Sequence, residues 1–367
     1  MIRIYKLSKN ITGSLWFLMR VALVILIIFS ITRYIKADSP MEAETGQNYI
    51  MTVTGPINPN EMRTTLIHEH VIVDWIGADS TGYHRWNQKE VIERALPFIN
   101  EAREKGVSTI IECTPSYLGR DPFILKALSN RTGVQILTNT GYYGAVDNTF
   151  IPEHAHRENA KEIAYRWVDE FENGIDGSDV RPGYMKISVA ANQPLSLLHQ
   201  KIVQAAAITH LETGLAIASH TNGDEPALEQ VELLKDEGIF PSAWIWAHAQ
   251  SGTLEGNIKI AEEGAWISLD GVNYNEAHEP GEDGTIKWYI NRILAMKNSG
   301  LLNKVLISHD AGWYAVGEKN GGTFRGYTDI FDHLIPELQN NGFTEEDIRQ
   351  LLVINPSQAY AIQVRKM

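Results

Sequence analysis

The sequence has a single cysteine, few basic residues and no long hydrophobic run. The one thiol, Cys113, excludes an intrachain disulfide framework, a cysteine zinc finger and a lipid-bearing cysteine near the N-terminus. The 367 residues include 32 basic and 45 acidic side chains, which gives a net charge of −13. A protein that binds polyanions needs a basic face, so we expect no nucleic-acid partner.

The N-terminal segment differs in charge from the rest of the chain. Residues 1–37 carry six basic and no acidic side chains, which leaves a net charge of −19 on the remaining 330 residues. Within this segment, residues 21–32 form a charge-free apolar run of twelve residues. That length suits a signal-peptide core of about 7–15 residues better than a membrane-spanning helix of about 20.

We therefore expect residues 1–37 to be a signal peptide or an uncleaved membrane anchor. They would engage the membrane or the export machinery, so that the protein is exported, periplasmic or tethered to the inner membrane. Residues 38–48 read as a disordered spacer, and residues 49–367 as one domain. Two alternatives remain: the apolar run is a buried helix of the main fold, or translation starts at Met41 and the protein is cytosolic.

The body of the chain alternates short apolar runs with longer amphipathic ones. The amphipathic runs end at glycine, as helices commonly do, and they span residues 90–105, 196–213, 225–237, 255–263 and 284–299. Eight short apolar runs are candidate strands: residues 64–68, 108–113, 134–138, 183–187, 215–219, 243–247, 265–269 and 305–308. Repeated strand, helix and strand predict an α/β fold, namely a (β/α)8 TIM-type barrel. A doubly wound open sheet is the alternative, but no G-x-G-x-x-G motif follows the first strand.

Metal-binding residue types close several of the predicted strands, at the barrel end where chemistry takes place. His68 and His70 lie two residues apart in the first strand and therefore point to the same face. His220 and His248 follow the fifth and sixth strands, and Asp310 follows the eighth. Imidazole together with carboxylate suits zinc, cobalt, manganese or iron better than calcium. We therefore predict a site for two cations.

Lys186 occupies the fourth strand and is the unexpected member of this set. An ammonium group beside two divalent cations would be repelled. Either the amine loses its proton and stays neutral, or it captures carbon dioxide and becomes a carbamate. A carbamate is an anion with two oxygens, and it can bridge two cations that lie about 3.5–4 Å apart.

With these residues in place, the sequence resembles the phosphotriesterase-like branch of the amidohydrolase superfamily, from about residue 53 to residue 362. The resemblance is carried by the stretches TLIHEHVIVD (65–74), ECTPSYLGRDP (112–122), TNTGYYG (138–144), GYMKIS (183–188), ASHTN (218–222), WAHAQ (246–250), ISHDAGW (307–313) and INPSQAYAI (354–362). It implies a distorted barrel that holds a binuclear metal centre, with zinc as the first choice of metal, and a homodimer as is common among relatives.

The resemblance also implies a role for each residue of the set. His68, His70 and Asp310 would hold the more buried metal ion, and His220 with His248 the more exposed one. A carboxylated Lys186 and a hydroxide would bridge the two ions. The hydroxide would attack the substrate while Asp310 accepts the proton. Tyr143 matches a tyrosine that lines the pocket near the metals in lactonase relatives.

The implied activity is hydrolysis of an ester-like bond in a small molecule: a phosphoester, a lactone or a carboxylic ester. An amidase or deacylase on the same scaffold is one alternative, and a non-catalytic barrel that binds metal or ligand at the cell surface is another. Phosphotriesterases proper carry an aspartate and a histidine where this chain has Ser251 and Gly271. We further expect Arg120 and Asp121 to form a structural ion pair, and Cys113 to be a buried thiol.

Overall fold

Eight parallel strands form a barrel in the computed structural model, which describes residues 48–274 and 286–367. We number the strands β1 to β8 in chain order. They span Thr65–Glu69, Thr109–Glu112, Gln135–Leu137, Tyr184–Ser188, Ile217–His220, Trp244–Ala247, Trp266–Leu269 and Val305–Ile307, and β3 continues after one residue as Asn139–Thr140. Each of the eight predicted strands is present, with its ends shifted by no more than two residues.

The strands are paired in sequence order and the sheet closes on itself. Parallel ladders join β1 to β2 and β2 to β3, and further ladders run from Asn139–Thr140 through β4 to β8. The ends of β8 and β1 then bond to each other: the Asp310 amide donates to the His68 carbonyl at 2.9 Å, and the His70 amide donates to the Ala311 carbonyl at 2.7 Å. This closure confirms the predicted α/β barrel and rules out the open sheet.

Helices surround the barrel in the described part of the chain. The seven long ones, α1 to α7, span Gln88–Glu104, Pro122–Thr132, Ala160–Asn173, Leu197–Thr213, Asp224–Asp236, Leu254–Glu262 and Ile286–Asn298. Shorter helical segments at Ile330–Leu334, Ile335–Asn340, Glu345–Arg349, Gln350–Ile354 and Asn355–Tyr360 complete the C-terminal part. The five amphipathic runs of the sequence correspond to α1 and α4 to α7.

The sequence interpretation missed α2 and α3, although both carry clear start signals. Asp121 caps α2 by accepting bonds from the amides of Phe123 and Ile124, and Pro122 occupies the first helical position. Asn159 and Glu162 form a capping box at the start of α3. Caps of this kind satisfy amide groups that the first helical turn leaves without partners.

The barrel interior is filled beneath its carboxyl end. One buried apolar cluster takes a side chain from every strand: Ile67, Ile111, Leu137, Tyr184, Ala218, Ile245, Trp266 and Leu306. Ile50 and Tyr360, from the two ends of the described chain, pack into the same cluster. Ile50 belongs to a short antiparallel hairpin, Ile50–Thr52 with Gly55–Ile57. In α/β barrels, ligands bind among the loops at the carboxyl end of the strands.

The predicted leader, residues 1–37, and nearly all of the predicted spacer lie outside the described residues. Within the described part of the chain, no helix combines the length and the apolar character needed to cross a membrane.

Candidate metal centre

The barrel brings together all of the side chains that the sequence nominated for the site. They come from the ends of five strands and from the segment after β3, and they line one cavity of about 240 Å3: His68, His70, Tyr143, Lys186, His220, His248 and Asp310. Local sequence explains most of the placement, because the histidines and Asp310 close or follow apolar strands whose carboxyl ends open into this cavity, while Lys186 lies within β4. The sequence pattern therefore predicted the histidines, Lys186 and Asp310, and the family resemblance predicted Tyr143.

His68, His70 and Asp310 form the tighter group. Asp310 Oδ1 lies 3.0 Å from His70 Nε2 and 3.7 Å from His68 Nε2. All three residues offer ligand atoms within 4.8 Å of one another. Asp310 Oδ1 is buried and accepts no hydrogen bond. A buried carboxylate oxygen without a donor is costly, so this geometry fits a bound cation that the three side chains would share.

His220 and His248 lie beside this group with ring centroids 4.3 Å apart. The His248 ring is also 4.9 Å from the His68 ring. His248 has a φ of 64°, a left-handed conformation that is uncommon for a residue with a side chain. The two imidazoles lie on the more open side of the centre, where a second cavity of about 380 Å3 begins.

Lys186 is almost completely buried at 2% exposure and lies next to the histidines. Its Nζ is 3.2 Å from His68 Nε2. Within residues 48–274 and 286–367 it forms no ion pair with a carboxylate. Removing one charge of a buried pair costs about 3–5 kcal/mol, so an ammonium without an anion is unfavourable here. The position fits an amine that is neutral or modified.

Asp270 contacts two histidines of the cluster and was not nominated by the sequence interpretation. It is fully buried after β7 and accepts a hydrogen bond from His68 Nδ1 at 2.8 Å. His248 Nδ1 lies 2.9 Å from its other oxygen. One carboxylate thus orients two imidazoles, one from each predicted metal position, and fixes their tautomers. Burial opposes its charge, yet His248 and His68 hold the pKa of Asp270 well below its usual range.

Thr114 performs the corresponding function for His70. Its hydroxyl donates to the Ile72 carbonyl at 2.9 Å and must therefore accept from His70 Nδ1 at 2.8 Å. The proton of His70 is fixed on Nδ1, and the lone pair of Nε2 faces Asp310. Partners of this kind orient metal-binding histidines in many proteins.

Glu69 points away from the cavity, as strand alternation predicts, and holds the segment around Asp310. Its Oε1 accepts bonds from Ser308 Oγ, the His309 amide and His309 Nδ1 at 2.8, 3.2 and 2.7 Å. Its Oε2 accepts from the Ala311 amide at 3.0 Å. The same carboxylate therefore forms hydrogen bonds with the chain on both sides of Asp310 and links β1 to β8.

Several charge states of the cluster suit cation binding at neutral pH, but His68 is an exception. Burial lowers its pKa, yet Cys113, Asp270 and Asp310 outweigh burial and raise the pKa well above the ordinary value, so a cation would have to displace that proton. Burial lowers the pKa of His70 to about 4. Burial, followed by the neighbouring His248, lowers the pKa of His220 well below its ordinary value. Burial opposes the charge of Asp310, but His68 and His70 hold its pKa well below the usual range. Neutral imidazoles and an ionised carboxylate are the forms that bind metals.

The remaining sequence predictions have mixed outcomes. Tyr143 borders the cavity, and its hydroxyl is 3.2 Å from His220 Nδ1. Cys113 is buried, as expected. The predicted pair of Arg120 with Asp121 is wrong. Arg120 instead pairs with Glu170 at 2.6 Å, because Asp121 is already occupied as the cap of α2.

The two positions that differ from phosphotriesterases proper have structural explanations. The hydroxyl of Ser251 donates to the His248 carbonyl at 2.7 Å and accepts from the Gly223 amide at 3.1 Å. A Cβ atom added at Gly271 would lie 2.7 Å from the Tyr289 hydroxyl and 2.9 Å from Gln250 Nε2. A larger side chain at position 271 would therefore require both neighbours to move.

Comparison with known proteins gives consistent results. The sequence profile of the phosphotriesterase family matches residues 48–360. A phosphotriesterase homology protein from Escherichia coli is 31% identical over 297 residues, which are 81% of this chain and 97% of that protein. An aryldialkylphosphatase from Saccharolobus solfataricus is 28% identical, with 83% of this chain and 97% of the relative covered.

More distant and structural matches extend this set. An N-acetyltaurine hydrolase from Danio rerio is 22% identical, with 84% of this chain and 96% of the relative covered. The crystal structure of a phosphotriesterase homology protein from Escherichia coli, complexed with phosphate in its active site, superposes with a TM-score of 0.68 at 29% identity. That match covers 82% of this chain and 99% of the other.

Proposed function

The chain belongs to the phosphotriesterase family, and from this premise we propose that it is a metal-dependent hydrolase that cleaves an ester-like bond in a small molecule. The bond would be a phosphoester, a lactone or a carboxylic ester. The observation that carries the proposal is the cluster in one cavity of four histidines, a buried lysine and a carboxylate whose Oδ1 accepts no hydrogen bond. This set of donors suits two divalent cations, with zinc as first choice and cobalt, manganese or iron as alternatives.

The residues divide between two metal positions. His68, His70 and Asp310 would hold one ion, because their ligand atoms already converge. His220 and His248 would hold the other on the open side. Lys186, as a carbamate, would lie between them. Carboxylation would replace an unpaired buried cation by an anion, which removes the unfavourable charge at this position.

The chemistry requires few further groups from the protein. The two ions would supply an acidified water molecule and would polarise the substrate oxygen. Asp310 is ionised and directed into the cavity, so it can accept the proton during attack. Tyr143 lies against His220 and would contact the substrate. Asp270 and Thr114 keep the imidazoles in the tautomers that binding needs.

An amide hydrolase is the second candidate function. It is favoured by the N-acetyltaurine hydrolases among the relatives. The same arrangement of groups can attack an amide carbonyl, so the residues of the metal centre do not discriminate between the two bonds. Substrate tests decide between them.

The experiment is a substrate panel with the purified protein. We expect zinc- or manganese-dependent turnover of at least one phosphotriester, lactone or carboxylic ester, and loss of that turnover in Asp310→Asn. Turnover of N-acyl amides alone would favour the amidase. An absence of turnover of every class, with metal bound, would leave a non-catalytic binding barrel.

We also propose that residues 1–37 direct the protein to the membrane or the export machinery, because this segment joins six basic residues to an apolar run of twelve. Cell fractionation tests the idea. The barrel should be found in the periplasm or with the inner membrane, whereas recovery in the cytosol alone would contradict it.

A further inference from the structure

Gln250 joins the segment after β6 to the end of β7. It lies two residues after His248, in the short helical turn Ala249–Ser251. Its amide forms two hydrogen bonds with Asp270: Nε2 donates to Oδ1 at 3.1 Å, and Oε1 accepts from the backbone amide at 3.2 Å. An ionised carboxylate only accepts and a backbone amide only donates, so a single orientation of the Gln250 amide satisfies both bonds. The side chain is therefore fixed against Asp270, although it lines the open cleft.

The two carboxylate oxygens of Asp270 bond to different histidine rings. Oδ2 accepts from His68 Nδ1 at 2.8 Å, and Oδ1 lies 2.9 Å from His248 Nδ1. The backbone amide of His248 donates to both oxygens at 3.1 Å and so favours neither. His68 belongs to the tighter group of proposed ligands, whereas His248 lies on the open side. Each oxygen of one carboxylate is thus assigned to one of the two proposed metal positions.

Each oxygen also receives a hydrogen bond from one uncharged side chain. Gln250 Nε2 donates to Oδ1, and Ser268 Oγ donates to Oδ2 at 2.8 Å. Ser268 is buried within β7, two residues before Asp270. The torsion that turns a carboxylate about its Cβ–Cγ bond has broad minima, so the donors around the carboxylate determine where each oxygen lies. Loss of one donor should therefore disturb most the histidine that is bonded to the same oxygen.

The glycine at position 271 leaves the space that Gln250 occupies. A Cβ atom at Gly271 would lie 2.9 Å from Gln250 Nε2, well inside the separation of about 3.5–4.0 Å at which non-bonded carbon atoms attract best. An alanine at this position would therefore displace the Gln250 amide from Asp270. Gly271→Ala should disturb the same two hydrogen bonds as a substitution of Gln250 itself, although it removes no polar group.

We propose that Gln250 is a positioning residue for His248, acting through Oδ1 of Asp270, and that Ser268 is its counterpart for His68, acting through Oδ2. The two metal positions are then adjusted separately, although their histidines share one carboxylate. This inference rests on the centre of two ions that the proposed function requires. Neither Gln250 nor Ser268 belongs to the proposed ligand set, so each can be replaced while every ligand stays in the chain.

Calorimetric titration of the metal-free full-length chain with zinc, in the presence of bicarbonate, measures the two binding steps. The step that His220→Ala abolishes belongs to the ion on the open side. Gln250→Met keeps the length of the side chain and removes its hydrogen bonds. We expect this variant to bind the open-side ion about tenfold more weakly, as is typical when an outer partner of a metal ligand is lost, and the other ion less than about threefold more weakly. Ser268→Ala should show the reverse pattern, and Gly271→Ala should resemble Gln250→Met.

The matched control is Gln350→Met, which removes an amide hydrogen bond to Asn355 in the C-terminal helical part and should keep both affinities within about twofold. Equal weakening of both ions by Gln250→Met would indicate a general structural role and would overturn the inference. Unchanged affinities, or a parent protein that binds a single ion, would overturn it as well. The expected affinities in a protein that cleaves no substrate would reject the proposed function and leave this inference intact, whereas turnover together with unchanged affinities would reject this inference alone.

Discussion

Glu69 provides a sharp test of how the fold holds the metal centre. A glutamine at this position has the same shape but accepts hydrogen bonds at only one of its two terminal atoms. If its oxygen replaces Oε1, its amide faces the Ala311 amide, which now lies 3.0 Å from Oε2. If the amide is turned over, the three bonds from Ser308 and His309 are lost. Either orientation leaves buried donors without an acceptor.

The magnitude follows from that count. Each buried polar group without a partner costs about 1–3 kcal/mol, and at least two donors face each other in the better orientation. We expect Glu69→Gln to lower the free energy of unfolding by about 3 kcal/mol. Since Ala311 adjoins Asp310, the carboxylate of Asp310 should also lose its fixed position. Loss of such outer partners typically lowers metal affinity about 10–100-fold.

Urea unfolding of the metal-free protein and competition with a chromophoric chelator measure the two effects separately. Glu170→Gln is the matched control, because it breaks the ion pair with the buried Arg120, which also donates to the Asn139 carbonyl and not to a residue of the metal centre. This control should lose stability and keep its metal affinity within about twofold. If Glu69→Gln also kept the metal affinity of the parent protein, Glu69 would serve only to join β1 to β8. Our explanation of how Asp310 is held in position would then be wrong.

Two further predictions concern the hydrogen bonds of two individual histidines, His70 and His210. Thr114→Val removes the acceptor of His70 Nδ1. Chelator competition should show that the metal affinity is lowered about tenfold. An unchanged affinity would mean that a group other than Thr114 fixes the tautomer of His70. His210, remote from the centre, donates from Nδ1 to the Leu215 carbonyl and accepts from the Arg365 amide, and burial lowers its pKa from 6.5 to about 4. A lowered histidine pKa stabilises the fold above pH 6.5 and loses that contribution as the pH falls towards 4, by about 3 kcal/mol in total. The difference in unfolding free energy between parent and His210→Gln should shrink over that interval, and a difference independent of pH would refute the assignment.

The strands and most of the metal-centre cluster could be predicted from sequence because both depend on short local sequence patterns. An apolar run sets a strand, and in a barrel the residue that closes the run faces the common cavity, whatever lies between the strands. His68, His220 and His248 are 152 and 28 positions apart in sequence order and still meet for this reason. The same rule applies to Asp270, which directly follows the run 265–269, and it should have been nominated.

Long-range partners could not be found in this way. Arg120 has an aspartate as its neighbour in sequence, yet its partner is Glu170, 50 residues later and on α3. Nothing local to Arg120 indicates that choice, which depends on how α3 packs over the loop after β2. The four bonds to Glu69 are a similar case, because they join residues about 240 positions apart. Tertiary closure of the barrel creates these contacts, and only the structure shows them.

The most direct test of the account is the number of metal ions bound per chain. Elemental analysis of the purified protein, dialysed without chelator, should give about two divalent ions per chain, as a centre of two ions requires. Lys186→Ala should bind clearly fewer, because the group between the two positions is gone. One ion or none in the parent, unchanged by the substitution and by added zinc or manganese with bicarbonate, would contradict the bridged centre.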